Sequence, residues 1–404
     1  MHDSNPAAAS ILIKPASSNC NINCDYCFYR TLSSERERYS MGFMSESTLE
    51  RLIINAFEYA GKHITFAFQG GEPTLCGIDF FKKAIELENK YNTKEISVEN
   101  TIQTNGILID ENWCEFIRDN GILIGLSLDG YRELHDRYRK DEKGHPTYDR
   151  IKKTIQLFNE FKVDYNILSV ITDNTCEHTK ELYDFYRDQH FQYIQIIPCI
   201  DERNRSSRTE TSDAGTEDKP CHDSEFDLDP EKYGAFLCEL FDMWIRDFER
   251  GYIEQNGLRY QVPDIRFFSN LAQMAAGYPP EECGLCGHCT CYFVVEGNGD
   301  VYPCDFYCTD EWKLGTLEKS FADLKNSEKA KDFVKASYVI NEECKACEYY
   351  GLCRGGCRRW REDVSDSLVK NKLCEGYKMF FKHATPDIYK LSKFILNTYG
   401  PYCP

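Results

Sequence analysis

The sequence predicts an α/β fold: a partial (β/α)6 barrel of the TIM type, followed by a cysteine-rich domain with a β-hairpin and a C-terminal helix. Three observations carry this. Short apolar runs alternate with segments of helical period over the first two hundred residues, which implies a parallel sheet with right-handed crossovers. Glycine-bearing turns recur just after successive predicted strands, where sheets of this kind bind ligands. Cysteines then crowd into the stretch Cys283–Cys374.

The elements follow in order. Ser10–Lys14 is an apolar run that feeds the loop C-N-I-N-C-D-Y-C, Cys20 to Cys27. Ser47 with Glu50 reads as a capping box for a helix that buries Leu49, Leu52, Ile53, Ala56, Phe57 and Ala60, ended by Gly61. Strands are expected at His63–Phe68, Ile96–Ile102, Ile122–Leu128, Tyr165–Thr172 and Tyr193–Pro198. Helices are expected at Ile78–Tyr91, Glu111–Asp119, Tyr148–Phe161 and Glu177–Gln189. The stretch 201–230 is polar and nearly free of apolar residues, and reads as a surface loop inserted at the end of a barrel domain, 1–230. A helical bridge (231–280) opens with a helix over Glu231–Arg250. The cysteine-rich domain (281–374) holds a hairpin, F-V-V-E at 293–296 turning at Gly297–Asp300 into V-Y-P-C-D. A helical tail (375–404) ends the chain, with its helix over roughly 378–398.

Composition excludes several classes. The chain has 404 residues, 42% hydrophobic and 28% charged, so it can bury a sizeable core. A net charge of −18 with no dense Lys/Arg stripe argues against nucleic-acid binding. No long uncharged apolar run predicts a membrane span, and the N-terminal residues do not read as a secretory signal. The expected compartment is therefore the reducing cytoplasm, where clustered members of the 21 cysteines read as metal ligands rather than disulfides. A monomer is expected.

Cys20, Cys24 and Cys27 carry the sharpest chemistry. Most iron–sulfur sites use four cysteines and saturate the cluster. Three thiolates on one tight loop leave one iron of a four-iron cluster open for chemistry, whereas structural zinc takes four ligands. After the second strand comes Q-G-G-E-P, Gln69 to Pro73; after the third, Q-T-N-G, Gln103 to Gly106; after the fourth, S-L-D-G, Ser127 to Gly130, with Arg139 beyond. Each alone is an ordinary turn signal.

The C-x-x-x-C-x-x-C loop, with Tyr26 before its third cysteine, resembles the radical S-adenosylmethionine superfamily. That resemblance implies that the open iron chelates S-adenosylmethionine, whose reductive cleavage gives a 5′-deoxyadenosyl radical that abstracts a substrate hydrogen. It implies that Gly70, Gly71 and Glu72 hold the methionine amino group, and that Tyr26, Ser127, Arg139 and Ile200 contact the cofactor. The later cysteines are similar to a SPASM extension with two auxiliary four-iron clusters, making three [4Fe–4S] clusters in all. By position, one takes Cys283, Cys289, Cys304 and Cys357, the other Cys344, Cys347, Cys353 and Cys374. Cys286, Cys291 and Cys308 lie in the same region, and Cys286 is an alternative to Cys283 or Cys289.

Five further segments narrow the resemblance. They are I-L-I-K-P-A-S-S-N-C-N-I-N-C-D-Y-C-F-Y, F-A-F-Q-G-G-E-P-T-L, G-L-S-L-D-G, C-T-C-Y-F-V-V-E and V-Y-P-C-D-F-Y. Together they resemble the anaerobic sulfatase-maturating enzymes. The activity this implies is oxidation of a Cys or Ser in an unfolded sulfatase segment, Cys/Ser-x-Pro/Ala-x-Arg, to formylglycine. Asp305 then matches the family's proton acceptor, and Tyr29 and Gln69 line its substrate site. Reduced ferredoxin or flavodoxin is the expected electron donor. The rival is a SPASM peptide maturase forming thioether or carbon–carbon crosslinks. Only nineteen residues precede Cys20, which leaves no room for the peptide-recognition domain that such a maturase is expected to carry. A second rival, a non-catalytic zinc or iron–sulfur scaffold, sits poorly with an open three-cysteine loop followed by Gly-Gly-Glu.

Overall fold

The computed structural model describes residues 6–199, 226–361 and 370–402. Most of the polar stretch 201–230, Ile200 and Cys221 lie outside them. The chain divides into two compact units that interleave along the sequence. The first runs to Leu128 and adds His135–Asn166 and Thr290–Val334. The second comprises Asp129–Leu134, Ile167–Cys289 and the chain from Lys335 onward.

The strands in chain order are β1 (Ala8–Lys14), β2 (His63–Phe68), β3 (Ser97–Thr104), β4 (Leu123–Ser127), β5 (Tyr165–Ile171) and β6 (Tyr193–Pro198). Then come β7 (Ile253–Gln255), β8 (Leu258–Tyr260), β9 (Asp264–Ile265), β10 (Phe293–Glu296), β11 (Asp300–Tyr302) and β12 (Gly315–Thr316). In the first unit the order is β12-β11-β10-β1-β2-β3-β4. From β10 to β4 the pairings are parallel, and β10-β11-β12 is antiparallel. Ile11 and Ile13 of β1 and Ile64 and Phe66 of β2 are fully buried on one face of the sheet, while Leu12 and Thr65 between them are half-buried on the other.

The hairpin expected within the cysteine-rich domain instead extends this sheet, with Ile11 to Lys14 of β1 opposite Phe293 to Glu296 of β10. The reason lies in F-V-V-E itself. All four residues are buried, and a run apolar on successive positions needs cover on both faces.

The first long helix spans Glu46–Tyr59 and buries the predicted Leu49, Leu52, Ile53, Ala56 and Phe57. Its N-cap is Ser45, not Ser47. Ser45 has extended backbone and its Oγ accepts the Thr48 amide at 3.1 Å, while Ser47 already lies in the first turn. Glu50 turns outward to Lys90 and Tyr91 instead of closing a capping box. The helix ends at Tyr59, before Gly61.

In the second unit β5 (from Ile167), β6 and β9 are parallel neighbours, and β7 pairs with β8. The helix predicted over Glu177–Gln189 runs over Thr179–Asp188, and a separate short helix, Asp173–Cys176, precedes it, started by a reciprocal capping box between Thr172 and Thr175. The helix Pro230–Arg250 is capped by Asp229, whose Oδ1 accepts the amides of Glu231 and Lys232. It packs on the C-terminal helix, which begins at Cys374 and runs to Tyr399. These two helices meet at Gly234 and Gly376, so closely that a Cβ on Gly376 would lie 2.1 Å from the Pro230 carbonyl oxygen. Phe241, Phe267, Phe268 and Phe380 fill the space alongside. Among the described residues no helix is long and apolar enough to cross a membrane.

Candidate active site

The cysteine loop leaves the end of β1 through a turn in which the Ser17 and Asn19 amides bond the carbonyls of Lys14 and Ala16. Its far side is pinned by a segment that sequence periodicity did not mark as structured: Asn23 N–H bonds Lys140 O at 2.7 Å and Asp25 N–H bonds Tyr138 O at 3.1 Å. Within the loop Cys27 N–H returns to Cys24 O at 3.2 Å, closing a backbone turn between these two cysteines. The helix Phe28–Ser34, also unmarked in the sequence, starts immediately after.

Gly70 and Gly71 follow β2 with φ of +98° and +56°. A Cβ on Gly71 would lie 2.3 Å from Asn19 O, and one on Gly70 would lie 2.6 Å from Lys14 Cε. Only glycine fits, so bare backbone lines the space beside the cysteine loop. The Glu72 amide bonds Asn19 O at 2.8 Å. Tyr26 accepts a hydrogen bond from Arg139 Nη1 at 2.9 Å, and Ser127 Oγ accepts one from Gln103 Nε2 at 3.1 Å. Burial pushes the Cys20 thiol up to about 11, against the pull of the Arg139 cation, and Cys27 is raised by the same opposing causes. Bound iron would favour the thiolates, so these sulfurs suit a metal that displaces their protons.

Asp305, Tyr29 and Gln69 come together from three distant segments. Tyr29 donates its hydroxyl to Asp305 Oδ2 in a short hydrogen bond. Gln69 Nε2 donates to Tyr29 Oη at 2.8 Å and to Asp305 Oδ2 at 3.3 Å. Asp305 Oδ1 is buried and has no hydrogen-bond partner among the described residues. Burial pushes the Asp305 carboxyl up, opposed by the Lys14 ammonium and the Tyr29 hydroxyl; Tyr29 itself is raised, first by burial and then by Asp305. Phe28 stacks between Tyr29 and Phe306 and fixes the group sideways.

Beneath them lies an ionic cluster that the sequence did not disclose. Lys14 Nζ and Arg36 Nη1 approach Glu296 Oε1 at 3.0 and 2.7 Å, with all three side chains fully buried. Lys14 Nζ also stands 4.8 Å over the Tyr29 ring. Burial alone would lower the Lys14 pKa, but Glu296, Cys308 and Asp305 outweigh it and raise it. The only advance sign was a charge ending each of two apolar strand runs, I-L-I-K and F-V-V-E.

The later cysteines fall in both units. Cys344, Cys347, Cys353 and Cys374 line one cleft in the second unit. Four thiols around one cleft are the donor set that a four-iron cluster takes; among the described residues no three potential ligands converge on a single ion. Cys374 sits at the N-terminus of the long helix, whose dipole favours a thiolate. Cys283, Cys289 and Cys357 also belong to the second unit, where a Cβ on Gly284 would lie 3.9 Å from Cys357 Cβ. Cys304 belongs to the first. Cys308 is fully buried against Leu32, Val294 and Tyr302, as a core residue would be. Cys286 is half-buried, its thiol on the Glu282 carbonyl.

A model of the radical SAM superfamily matches residues 15–186, and one described as an iron–sulfur cluster-binding domain, SPASM, matches residues 269–348. The cysteine-type anaerobic sulfatase-maturating enzyme of Clostridium perfringens is 41% identical over 96% of this chain and 99% of its own length. The serine-type enzyme of Bacteroides thetaiotaomicron is 30% identical over 97% of this chain and 93% of its own. The solved structure of anSMEcpe with bound AdoMet and Cp18Cys peptide matches with a TM-score of 0.85, at 40% identity, over 96% of this chain and 99% of that one.

Proposed function

This chain belongs to the anaerobic sulfatase-maturating enzymes, and we propose that it oxidises the cysteine of an unfolded sulfatase segment to formylglycine. The carrying observation is the Tyr29–Gln69–Asp305 group, which leaves Asp305 Oδ1 as a buried acceptor with no donor among the described residues. When bound, S-adenosylmethionine and the [4Fe–4S] clusters supply a hydrogen-abstracting 5′-deoxyadenosyl radical and a sink for a second electron.

The chain's residues do the rest. Cys20, Cys24 and Cys27 hold the first cluster. Gly70, Gly71 and Glu72 form the turn that receives the methionine end, with Tyr26, Ser127, Arg139 and Ile200 along the remainder of the cofactor. Cys283, Cys289, Cys304 and Cys357, and Cys344, Cys347, Cys353 and Cys374, hold the auxiliary clusters. Once a hydrogen atom has left the target Cβ, the substrate must lose one electron and the thiol proton to become a thioaldehyde. Asp305 Oδ1 accepts that proton, and Tyr29 and Gln69 orient the carboxylate from its other oxygen. Water then replaces sulfur as oxygen, with release of hydrogen sulfide. Cysteine is the preferred target, in line with the higher identity to cysteine-type relatives.

The partner is a Cys-x-Pro-x-Arg segment of a sulfatase, with reduced ferredoxin or flavodoxin as donor. The protein works as a monomer in the cytoplasm, a compartment in keeping with clustered cysteines that read as metal ligands rather than disulfides. The test is anaerobic incubation of such a peptide with reconstituted enzyme, S-adenosylmethionine and reductant. Loss of about 18 Da with carbonyl reactivity supports this cofactor-driven oxidation. Release of 5′-deoxyadenosine with the peptide untouched removes the substrate assignment and favours the peptide-maturase alternative.

A further inference from the structure

The geometry points to Asn105 as a positioning residue for the first cluster: its side-chain amide donates to Cys20 Sγ and raises the cluster's reduction potential. The inference rests on the reading of Cys20 as a cluster ligand and adds to it a residue that neither the cysteine spacing nor the Gly-Gly-Glu turn identifies.

Asn105 follows β3 and is 4% exposed. Its amide orientation is fixed by its partners. Oδ1 accepts the Ile107 amide at 3.0 Å, so Nδ2 must face the other way. There it donates to Asn21 Oδ1 at 2.7 Å and to Cys20 Sγ at 3.8 Å. One side chain therefore ties two neighbouring residues of the cysteine loop.

Asn105 is itself anchored from below by Glu72. That carboxylate is 1% exposed, and both its oxygens are taken by the chain's own donors. Oε1 accepts the Thr74 amide at 3.1 Å, Thr74 Oγ1 at 2.6 Å and Thr104 Oγ1 at 2.7 Å; Oε2 accepts the Asn105 amide at 2.7 Å. Glu72 thus locks the end of β3 to the turn after β2. A carboxylate saturated in this way acts through Asn105 and the turn it holds, leaving the backbone of that turn to face the cofactor. Hydrogen bonds to ligand sulfur stabilise the more negative, reduced cluster and are one of the protein's levers on its potential.

The test uses Asn105→Asp and Asn105→Ser in the full-length, reconstituted enzyme. Both keep an acceptor for the Ile107 amide and lose the side-chain amide N–H that reaches Cys20. The readout is an anaerobic redox titration of that part of the reduced-cluster EPR signal which changes on adding S-adenosylmethionine, since only the open-iron cluster responds. The expected result is wild-type iron content with the midpoint moved to more negative potential in both variants. An unmoved midpoint in both overturns the inference, as does loss of the responsive signal in both with the other clusters retained, which would make Asn105 a loop-folding residue only. Cys20→Ala separates the underlying reading. If it abolishes the responsive signal, Cys20 is a ligand whatever Asn105 does; if the signal survives, that reading falls and the inference with it.

Discussion

Tyr29 and Asp305 stand 276 positions apart in the sequence and share one short hydrogen bond. That bond occupies Oδ2 and leaves Oδ1 free to take a proton from a substrate. Asp305→Asn should therefore leave S-adenosylmethionine cleavage within a few-fold of wild type. Formylglycine yield should fall by about 10²–10⁴, the range for loss of a positioned base. Parallel chromatography of 5′-deoxyadenosine and mass spectrometry of the peptide measure the two; a normal aldehyde yield would remove Asp305 from the reaction.

The Lys14–Glu296–Arg36 cluster makes a prediction about stability. Removing one partner of a buried pair strands the others without compensation, at about 3–5 kcal/mol. Glu296→Gln should lower the denaturant midpoint accordingly, since it leaves two buried cations facing a neutral amide. A midpoint within the scatter of wild type would show that the cluster is solvated or already neutral.

Glu88 predicts a pH dependence far from the active site. It is buried and accepts from Asn100 Nδ2 at 2.9 Å, while its own Oε1 and Asn100 Oδ1 lack partners among the described residues. Burial pushes its carboxyl from 4.5 up to about 7, against the Asn100 hydrogen bond. A raised folded-state value means that the neutral acid is favoured by folding. Its contribution is complete below pH 4.5 and lost as pH rises through about 7. Glu88→Gln keeps the shape, adds a donor for Asn100 and cannot ionise. It should match wild type near pH 4.5 and exceed it by roughly 3 kcal/mol well above pH 7 in urea unfolding, the linkage value of such a shift. Equal stability at both pH values would contradict a neutral Glu88.

Gly376 couples helix packing to metal binding, because it lies two residues beyond Cys374 and against Pro230 and Gly234. Gly376→Ala should force the helices apart, destabilise by about 1–3 kcal/mol and lower iron content in proportion to the auxiliary cluster lost. Cys347→Ala should lose the same iron without the helix strain. Full iron in Cys347→Ala would show that this thiol is not a ligand.

What the sequence disclosed follows from where each piece of chemistry resides. Cys20, Cys24 and Cys27 are legible because their geometry is local, and the four thiols around the second-unit cavity because three of them crowd into ten residues. The parallel strands are legible because short apolar runs alternate with segments of helical period. Asp305, Tyr29 and Gln69 could be named only by resemblance, since no local pattern joins positions so far apart. Lys14 and Glu296 were hidden because a charge ending an apolar run looks like a strand leaving the core, and only the pairing of β1 with β10 makes them partners. Ser45 and Ser47 could each have capped one helix, and the choice lies in the backbone torsions rather than the residue type. Asn105 was visible only as part of an Asn-Gly turn, a signal shared by turns that hold nothing.

The central claim is that the reaction begins at the Cβ of a target cysteine. Its most direct test is a Cys-x-Pro-x-Arg peptide deuterated at that carbon, incubated anaerobically with S-adenosylmethionine, reductant and the holoenzyme. The account predicts that the released 5′-deoxyadenosine carries deuterium in step with formylglycine formed. Unlabelled 5′-deoxyadenosine alongside oxidised peptide would contradict it.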